Sequence, residues 1–239
     1  MKISVIVPAY TPDENTKALF NRCVKSLDDR FDVIIIEDED HLGVATARNK
    51  GLEIALEGKP DYVTFLDADD EYAPDAYDQI VEAIKESEGA PLIQLNHVRI
   101  FPDGSMKPRL WNKAGDYELD ELPKLWVSVC NKVFEADLIE NIRFDPYLSH
   151  GEDEIFILEC LIQTRRIYNS KRIALYYHKD NPNSLSTKTD FDELMSEQRA
   201  LIDFLECNSD DREICEAIRK RQVELWDNEC YKRVIRGDT

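Results

Sequence analysis

The 239-residue sequence is poor in positive charge, because 30 lysines and arginines stand against 49 aspartates and glutamates and leave a formal net charge of −19. Such a chain repels phosphate backbones and anionic lipid headgroups unless its basic residues gather on one face. The short basic clusters, Arg165-Arg166, Lys171-Arg172 and Arg219-Lys220-Arg221, suit the solvated ends of helices and strands. A nucleic-acid partner is therefore disfavoured.

Cysteine pairs and long apolar runs are also lacking. Six cysteines are scattered without a CxxC pair, which is typical of reduced core thiols and not of a zinc site or a disulfide framework. The first apolar run, Ile3 to Val7, is stopped by Pro8 and is too short for a secretion signal. No eighteen apolar residues follow one another, so we expect no membrane span and a cytoplasmic enzyme.

The first half of the chain alternates short β-branched runs with helical patterns, which indicates βαβ units and a mostly parallel, Rossmann-like α/β sheet flanked by helices. We predict strands at 3–7, 33–36 and 62–66, and helices at about 15–28, about 44–57 and from Pro74 onward. The continuous apolar run of the second strand favours burial on both faces. All three strands end in polar loops at the sheet edge where open α/β sheets bind ligands.

The pattern changes after about residue 92. A strand-like run, the turn Pro102-Asp103-Gly104 and three aromatic residues, Trp111, Tyr117 and Trp126, predict a small antiparallel insertion whose aromatic rings suit packing in the core. A helix at about 152–165 and a strand at about 172–178 follow. Two amphipathic helices, at about 191–206 and 210–235, form a C-terminal helical extension. We expect the extension to cover an apolar face or to form a homo-oligomer.

Three acids within four residues follow the third strand: Asp67, Asp69 and Asp70. Like charges this close repel one another, and a divalent cation relieves the repulsion. Mg²⁺ and Mn²⁺ suit carboxylate oxygens and commonly take one or two of them together with substrate phosphates. The alternative is a capping cluster for the next helix, where Asp is also favourable. The motif alone leaves both interpretations open.

Five motifs stand in order along the chain: VIVPAY at 5–10, ED at 37–38, ARNKGL at 47–52, FLDADD at 65–70 and GEDEIF at 151–156. Through them the chain resembles the inverting GT-A glycosyltransferases of family 2, over roughly residues 1–186. The resemblance implies a GT-A domain at 1–189, with a nucleotide-sugar-binding half at 1–95 and an acceptor half at 96–189. It has no counterpart for the extension at 190–239. It implies metal-dependent transfer of a sugar to a hydroxyl of a carbohydrate or another acceptor.

The resemblance also implies which residues hold the nucleotide-sugar donor. Pro8 and Tyr10, in the loop that leaves the first strand, would contact base and ribose. Asp38 would accept the imide N–H of uracil, which favours UDP over cytidine donors. Arg48 and Lys179 would approach the phosphates. Taken singly, the same residues suit a turn with a packed aromatic, a solvated acidic run and surface charges.

The metal ligands implied by the resemblance lie in the carboxylate loop. Asp69 would bind Mn²⁺ or Mg²⁺ at the diphosphate, with Asp67 beside it on the ribose side of the donor. His178 is a further candidate ligand. The family carries its histidine a few residues later, where this chain has Asn181, so packing at a strand end is the alternative for His178.

The catalytic residues implied by the resemblance open the helix predicted at 152–165. Asp153 would be the general base that deprotonates the acceptor hydroxyl, and Glu152 would orient the acceptor or the base. An ordinary acidic first turn is the alternative, since a helix N-terminus favours negative charge. His41, His97 and His150 show no ligand spacing.

Two other function classes fit parts of the sequence. One is a nucleotide-sugar-binding protein without transferase activity, against which the presence of both Asp69 and Asp153 argues. The other is a nucleotidyltransferase, which also combines a Rossmann-like sheet with metal carboxylates. That class favours a glycine-rich, basic first loop, whereas this chain has Pro8-Ala9-Tyr10-Thr11.

Overall fold

The computed structural model describes residues 1–110, 114–117, 127–181 and 191–226. The strands are β1 Ile3–Ala9, β2 Asp32–Glu37, β3 Tyr62–Phe65, β4 Glu71–Tyr72, β5 Leu92–Ile100, β6 Met106–Arg109, β7 Gly115–Asp116, β8 Lys132–Glu135 and β9 Ile167–His178. The helices are α1 Glu14–Lys25, α2 Val44–Glu57, α3 Ala76–Glu86, α4 Glu152–Thr164, α5 Phe191–Cys207 and α6 Arg212–Trp226.

These strands form one mixed sheet in the order β2-β1-β3-β8-β5-β9-β4, with β6 paired to β5 and β7 paired to β9. β1 runs parallel to both β2 and β3, so the predicted βαβ start is confirmed and the three carboxyl ends meet at one edge. β8 runs antiparallel between β3 and β5, and β9 is parallel to β5. The antiparallel β5–β6 hairpin confirms the predicted insertion.

Helix α2 packs closely on β1 because Gly51 has no side chain. A Cβ at Gly51 would lie 2.4 Å from Cγ2 of Ile6, so any larger residue would push the helix off the sheet. Two residues earlier, Asn49 exchanges two hydrogen bonds of 2.8 and 2.9 Å with the backbone of Phe144. These contacts fix α2 and place Arg48, the residue before Asn49, at the carboxyl edge of the sheet.

Several predicted boundaries and environments differ from the structure. The prediction that the second strand is buried on both faces is wrong: β2 is the edge strand, and its Val33 and Ile35 are 36% and 39% exposed. Pro8 lies within β1 and not in the loop after it. Pro74 precedes α3, which begins at Ala76. The strand predicted at 172–178 starts earlier, because it pairs with the full length of β5.

The C-terminal extension packs onto the main domain. Its buried side chains join the same apolar core as the sheet: Leu201, Phe204, Ile214, Ala217 and Ile218. This confirms that the extension covers an apolar face. In the described ranges, no helix combines the length and apolar character needed to cross a bilayer. Trp111, Trp126 and the last part of the helix predicted at 210–235 lie outside the described residues.

Candidate active site

One buried guanidinium joins the carboxylates of two distant motifs. Arg48 is 3% exposed, and its Nη2 donates to Asp67 at 2.9 Å. Its Nη1 donates to Glu152 at 2.9 Å and to Asp153 at 2.7 Å. Burial acts to lower the pKa of Arg48, but Asp153, Asp67 and Glu152 outweigh it and raise that pKa. The structure therefore brings together four sequence-predicted site residues, with Arg48 bonded to carboxylates.

Asp153 has the environment that a general base requires. One carboxylate oxygen accepts from Arg48, and the other accepts the backbone N–H of Val129 at 3.1 Å. Burial raises the pKa of Asp153 to about 7, against the opposing effect of Arg48, and Glu152 and Asp67 add to the rise. A pKa near neutrality is the value at which a base is both ionised and able to hold a proton.

The loop after β3 is fixed by residues from both ends of the domain. Arg22 on α1 donates to the backbone carbonyl of Asp69 at 2.6 Å and also pairs with Asp180 at 2.6 Å. The buried Asp70 accepts the backbone N–H of His178 at 2.8 Å. Neither Arg22 nor Asp180 belongs to a recognised motif, so their role at this loop was not predicted.

Asn181 contacts the candidate metal ligand. Its Nδ2 donates to Oδ2 of Asp69 at 2.8 Å. Burial and then the charge of Asp67 raise the pKa of Asp69. The sequence held a signal for this contact, because Asn181 occupies the position at which the resembled family carries a histidine.

His178 is engaged elsewhere. Its Nε2 lies 2.5 Å from Oε2 of Glu71, and its Nδ1 lies 3.8 Å from Oδ2 of Asp180. The imidazole thus packs within the ionic network around Arg22, which lies 3.7 Å from Glu71. A metal-binding role for His178 stays a prediction, since its ring faces Glu71, whereas Asn181 contacts Asp69 directly.

The carboxylate loop fits a divalent cation. In the part of the chain that the structure describes, no three His, Cys, Asp or Glu side chains form a complete metal-holding group. An ion held by Asp69 and Asp67 therefore needs further oxygen ligands, and a diphosphate supplies them. The raised pKa of Asp69 indicates that ionisation there is costly without a nearby cation.

The candidate nucleotide side lies at the ends of β1 and β2. Tyr10 is the first residue after β1, is 50% exposed, and meets the ring of His41 edge-on with centroids 5.0 Å apart. Asp38 accepts the backbone N–H groups of Leu42 and Gly43, both at 2.8 Å, and so shapes the loop before α2. Tyr10 thus offers an open ring face. His41 lies beside that ring, although its position in the sequence did not predict a place at the site.

Lys179 lies directly after β9. Its Nζ contacts the hydroxyl of Tyr177 at 3.0 Å and stands 4.4 Å from the centre of that ring. Burial and then Arg99 lower the pKa of Lys179, while the negative charges of Asp70 and Asp69 oppose that effect. Lys179 therefore lies within electrostatic reach of the carboxylate loop, as expected of a residue that approaches a diphosphate.

The start of α4 is held by the C-terminal extension. Gly151 adopts φ +84°, and a Cβ there would lie 2.5 Å from Cγ of Glu197 on α5. The buried carboxylate of Glu197 lies 2.9 Å from Nδ1 of His150. The sequence did not predict this approach, because the extension had no counterpart in the family resemblance.

Comparison with known proteins decides the family. The model for glycosyl transferase family 2 matches residues 13–134, which include Asp38, Arg48, Asp67 and Asp69. The amylovoran biosynthesis glycosyltransferase AmsB of Erwinia amylovora is 30% identical over 213 residues, covering 74% of this chain and 70% of that protein. The chain belongs to glycosyl transferase family 2. It is accordingly a glycosyltransferase, and the nucleotidyltransferase alternative is set aside.

Other relatives of this family 2 chain agree with that assignment. The poly(ribitol-phosphate) beta-glucosyltransferase of Bacillus spizizenii is 23% identical over 74% of this chain, which spans only 32% of that protein. The crystal structure of residues 1–349 of TarS from S. aureus, in complex with UDP-GlcNAc, superimposes with a TM-score of 0.69 at 17% identity. The superposition covers 91% of this chain and 72% of the TarS chain, and it shows that the fold is GT-A.

Proposed function

We propose that this family 2 enzyme transfers a sugar from a UDP-sugar to an acceptor hydroxyl, with inversion at the anomeric carbon and with a divalent metal ion. The observation that carries the proposal is the Arg48 bridge. It holds Asp67, beside the candidate metal ligand, and Asp153, the candidate base, on the same guanidinium. Donor chemistry and acceptor chemistry thereby meet in one place.

The metal would be held by Asp69, with Asp67 and Asn181 close to it. Mn²⁺ or Mg²⁺ bound there would supply positive charge that stabilises the leaving nucleoside diphosphate. Lys179 adds positive charge on the β9 side of the same loop. In the absence of a cation the buried Asp69 and Asp70 repel one another, since the charge of Asp69 is the largest effect after burial that raises the pKa of Asp70.

Asp153 performs the proton transfer in this proposal. The acceptor oxygen loses its proton to the Asp153 carboxylate as it forms the new bond at the anomeric carbon, and the bond to the diphosphate breaks in the same displacement. Arg48 and the Val129 N–H fix both oxygens of Asp153, so the base is positioned before the acceptor arrives. Glu152 shares Arg48 and orients the same guanidinium.

The donor preference rests on the nucleotide side. Tyr10 offers an exposed ring on which a base can stack, and Asp38 supplies an acceptor for the uracil imide beside it. Each Asp38 oxygen accepts one backbone N–H and retains a lone pair for a base. The complex of the GT-A neighbour TarS with UDP-GlcNAc supports a uridine donor.

The test is a panel of nucleotide sugars with and without Mn²⁺. We expect uridine donors to raise the melting temperature in the presence of the metal, since a ligand of the native state stabilises it by mass action. Slow metal-dependent hydrolysis of one of them would identify the transferred sugar and separate the transferase from the non-catalytic binding protein. Stabilisation by uridine donors without any hydrolysis or transfer would favour the binding protein.

A further inference from the structure

Four basic or imidazole side chains share one face of the β5–β6 hairpin. His97 pairs with Arg109, and Arg99 pairs with Lys107, in the antiparallel ladder. Directly opposed residues project to the same face of a sheet, and so do alternate residues along a strand. Three permanent cations thus stand together on a chain whose net charge is −19.

Strand β9 extends this face toward the carboxylate loop. Arg99 also pairs with Tyr177 in the parallel ladder, and Lys179 contacts the Tyr177 hydroxyl. The Tyr177 ring meets His97 edge-on, with centroids 6.1 Å apart. We call Arg99, Lys107, Arg109 and Lys179 together the cationic face.

The members of the cationic face act electrostatically on one another. Burial, and after it the charge of Arg99, lowers the pKa of Arg109. Burial, and after it the charges of Arg99 and Arg109, lowers the pKa of His97 to about 3. The Nε of Arg99 is buried and finds no hydrogen-bond partner among the described residues. Gathering like charges costs free energy, which a bound anion would recover.

The cationic face borders both parts of the candidate active site. Lys179 directly follows His178, whose backbone N–H donates to Asp70 of the carboxylate loop at 2.8 Å. His97 is influenced by Lys132, whose Nζ donates to the carbonyl of Ser128 at 3.0 Å. The next residue, Val129, holds Asp153. Strand β8, which begins three residues after Val129, pairs with β5. An anion on the cationic face would therefore lie next to the donor loop and on a strand that neighbours the segment holding Asp153.

We propose that the cationic face binds a phosphate or carboxylate group carried by the acceptor and so positions the acceptor hydroxyl for Asp153; this rests on the proposed function. Guanidinium groups such as those of Arg99 and Arg109 pair with both anions through two parallel hydrogen bonds. Arg99, Lys107 and Arg109 lie on β5 and β6, outside the nucleotide-binding strands β1–β3. That placement assigns them to the acceptor, with Lys179 at the boundary with the donor.

The experiment uses the full chain and a double variant, Arg99→Gln with Arg109→Gln. Its matched control, Lys17→Gln with Lys50→Gln, removes the same charge from exposed positions on α1 and α2. The probes are a glycerol-phosphate oligomer, an oligogalacturonate, an uncharged dextran oligomer, and UDP with Mn²⁺. Binding is followed by calorimetry at two salt concentrations, because electrostatic binding weakens with salt.

We expect wild type to bind at least one anionic oligomer, and the double variant to bind it about tenfold or more weakly, as loss of two charge-assisted pairs implies. The control variant should match wild type, and UDP affinity should stay within about threefold in every protein. An Arg99→Lys/Arg109→Lys variant should keep most of the binding and thereby separates lost charge from misfolding.

Three results would overturn the proposal. The first is that neither anionic oligomer binds wild type. The second is that the double variant binds the anionic oligomers as well as wild type does. The third is that the double variant loses affinity for UDP and not for the oligomers. The last result would assign these cations to the donor diphosphate. If wild type binds an anionic oligomer through the cationic face but does not bind UDP, the proposed donor is contradicted. The proposal for the cationic face would still hold.

Discussion

Glu197 on α5 lies 2.9 Å from His150, the residue that leads into the helix carrying the candidate base. The hydrogen bond that His150 donates to Glu197 is the largest influence on His150 and raises the pKa of its imidazole. Glu197 is buried, so the contact lies within the packed interface between the extension and the main domain. The C-terminal extension therefore supports the base-bearing segment as well as covering the core.

Replacing Gly151 by alanine should separate α5 from the start of α4. The new Cβ would meet Glu197 at 2.5 Å, and we expect a cost of about 1–3 kcal/mol for overpacking in addition to the strain of a positive φ. Turnover should fall while UDP affinity changes little. Gly89→Ala is the matched control, since Gly89 has φ +79° and nothing within 4 Å of its added Cβ. Equal melting temperatures for the two variants would contradict the close contact.

Asp153→Asn should abolish the base without disturbing the donor. General-base removal costs on the order of 10²–10⁴-fold in turnover, whereas a group that acts only in the transition state leaves UDP affinity nearly unchanged. The measurement is a steady-state transfer assay together with UDP calorimetry. Asp137→Asn, at an exposed aspartate, is the control. Turnover within about threefold of wild type would make Glu152 the next carboxylate to test.

The pH dependence of transfer follows from the same residue. Asp153 accepts a proton only when it is ionised, and its pKa is raised to about 7. We therefore expect kcat to rise with pH, reach half its plateau near pH 7, and fall about tenfold for each unit below that point. A rate that stays level down to about pH 5 would exclude Asp153 as the titrating base.

The raised pKa of Asp153 should also make the stability of the fold decrease as pH rises, which is opposite to the trend in kcat. A carboxyl whose folded pKa lies above its unfolded value contributes stability that is present below the unfolded pKa and is lost as pH rises through the folded pKa. For Asp153 that window runs from about 4 to about 7. The difference in melting temperature between Asp153→Asn and wild type should thus shift in favour of the variant from pH 4 to pH 8, as measured by thermal denaturation.

Metal removal should stop transfer. Excess EDTA should abolish activity, and Asp69→Asn should lower it by about 10²-fold or more, because the diphosphate would then face Asp67 and Asp70 without a neutralising cation. Isothermal titration of Mn²⁺ in the presence of UDP provides a readout that does not depend on turnover. The exposed Asp75→Asn is the control. Full activity in EDTA would remove the metal from the mechanism.

UDP should stabilise the fold more than CDP at equal concentration with Mn²⁺, if Asp38 reads the uracil imide. Cytosine presents a ring acceptor where uracil presents an N–H, so a carboxylate discriminates between them. Asp38→Asn should reduce the difference in thermal shift, since an amide can face either base. Equal shifts for UDP and CDP with the wild-type protein would leave Asp38 with only its role in shaping the loop.

The sequence predicted the fold where local patterns determine it. Alternating strands and helices, with Gly51 and the carboxylate loop in order, suffice for β1 to β3 and for the edge at which they end. Contacts between distant segments could not be predicted in this way. Arg48 was expected to approach phosphate, yet it donates to three carboxylates, because the partners from α4 approach only in three dimensions. Glu197 and His41 were missed for the same reason.

The contact between Glu197 and Gly151 also affects the order in which the enzyme is completed during synthesis. Chains emerge from the ribosome from the amino end, and the loop that carries Asp67 and the helix that carries Asp153 are synthesised before α5. A nascent chain that had reached residue 189 would hold every candidate donor-binding and catalytic residue, while His150 still awaited its partner. The segment that leads into the helix of Asp153 therefore gains its contact with Glu197 only after α5 has been translated and has docked.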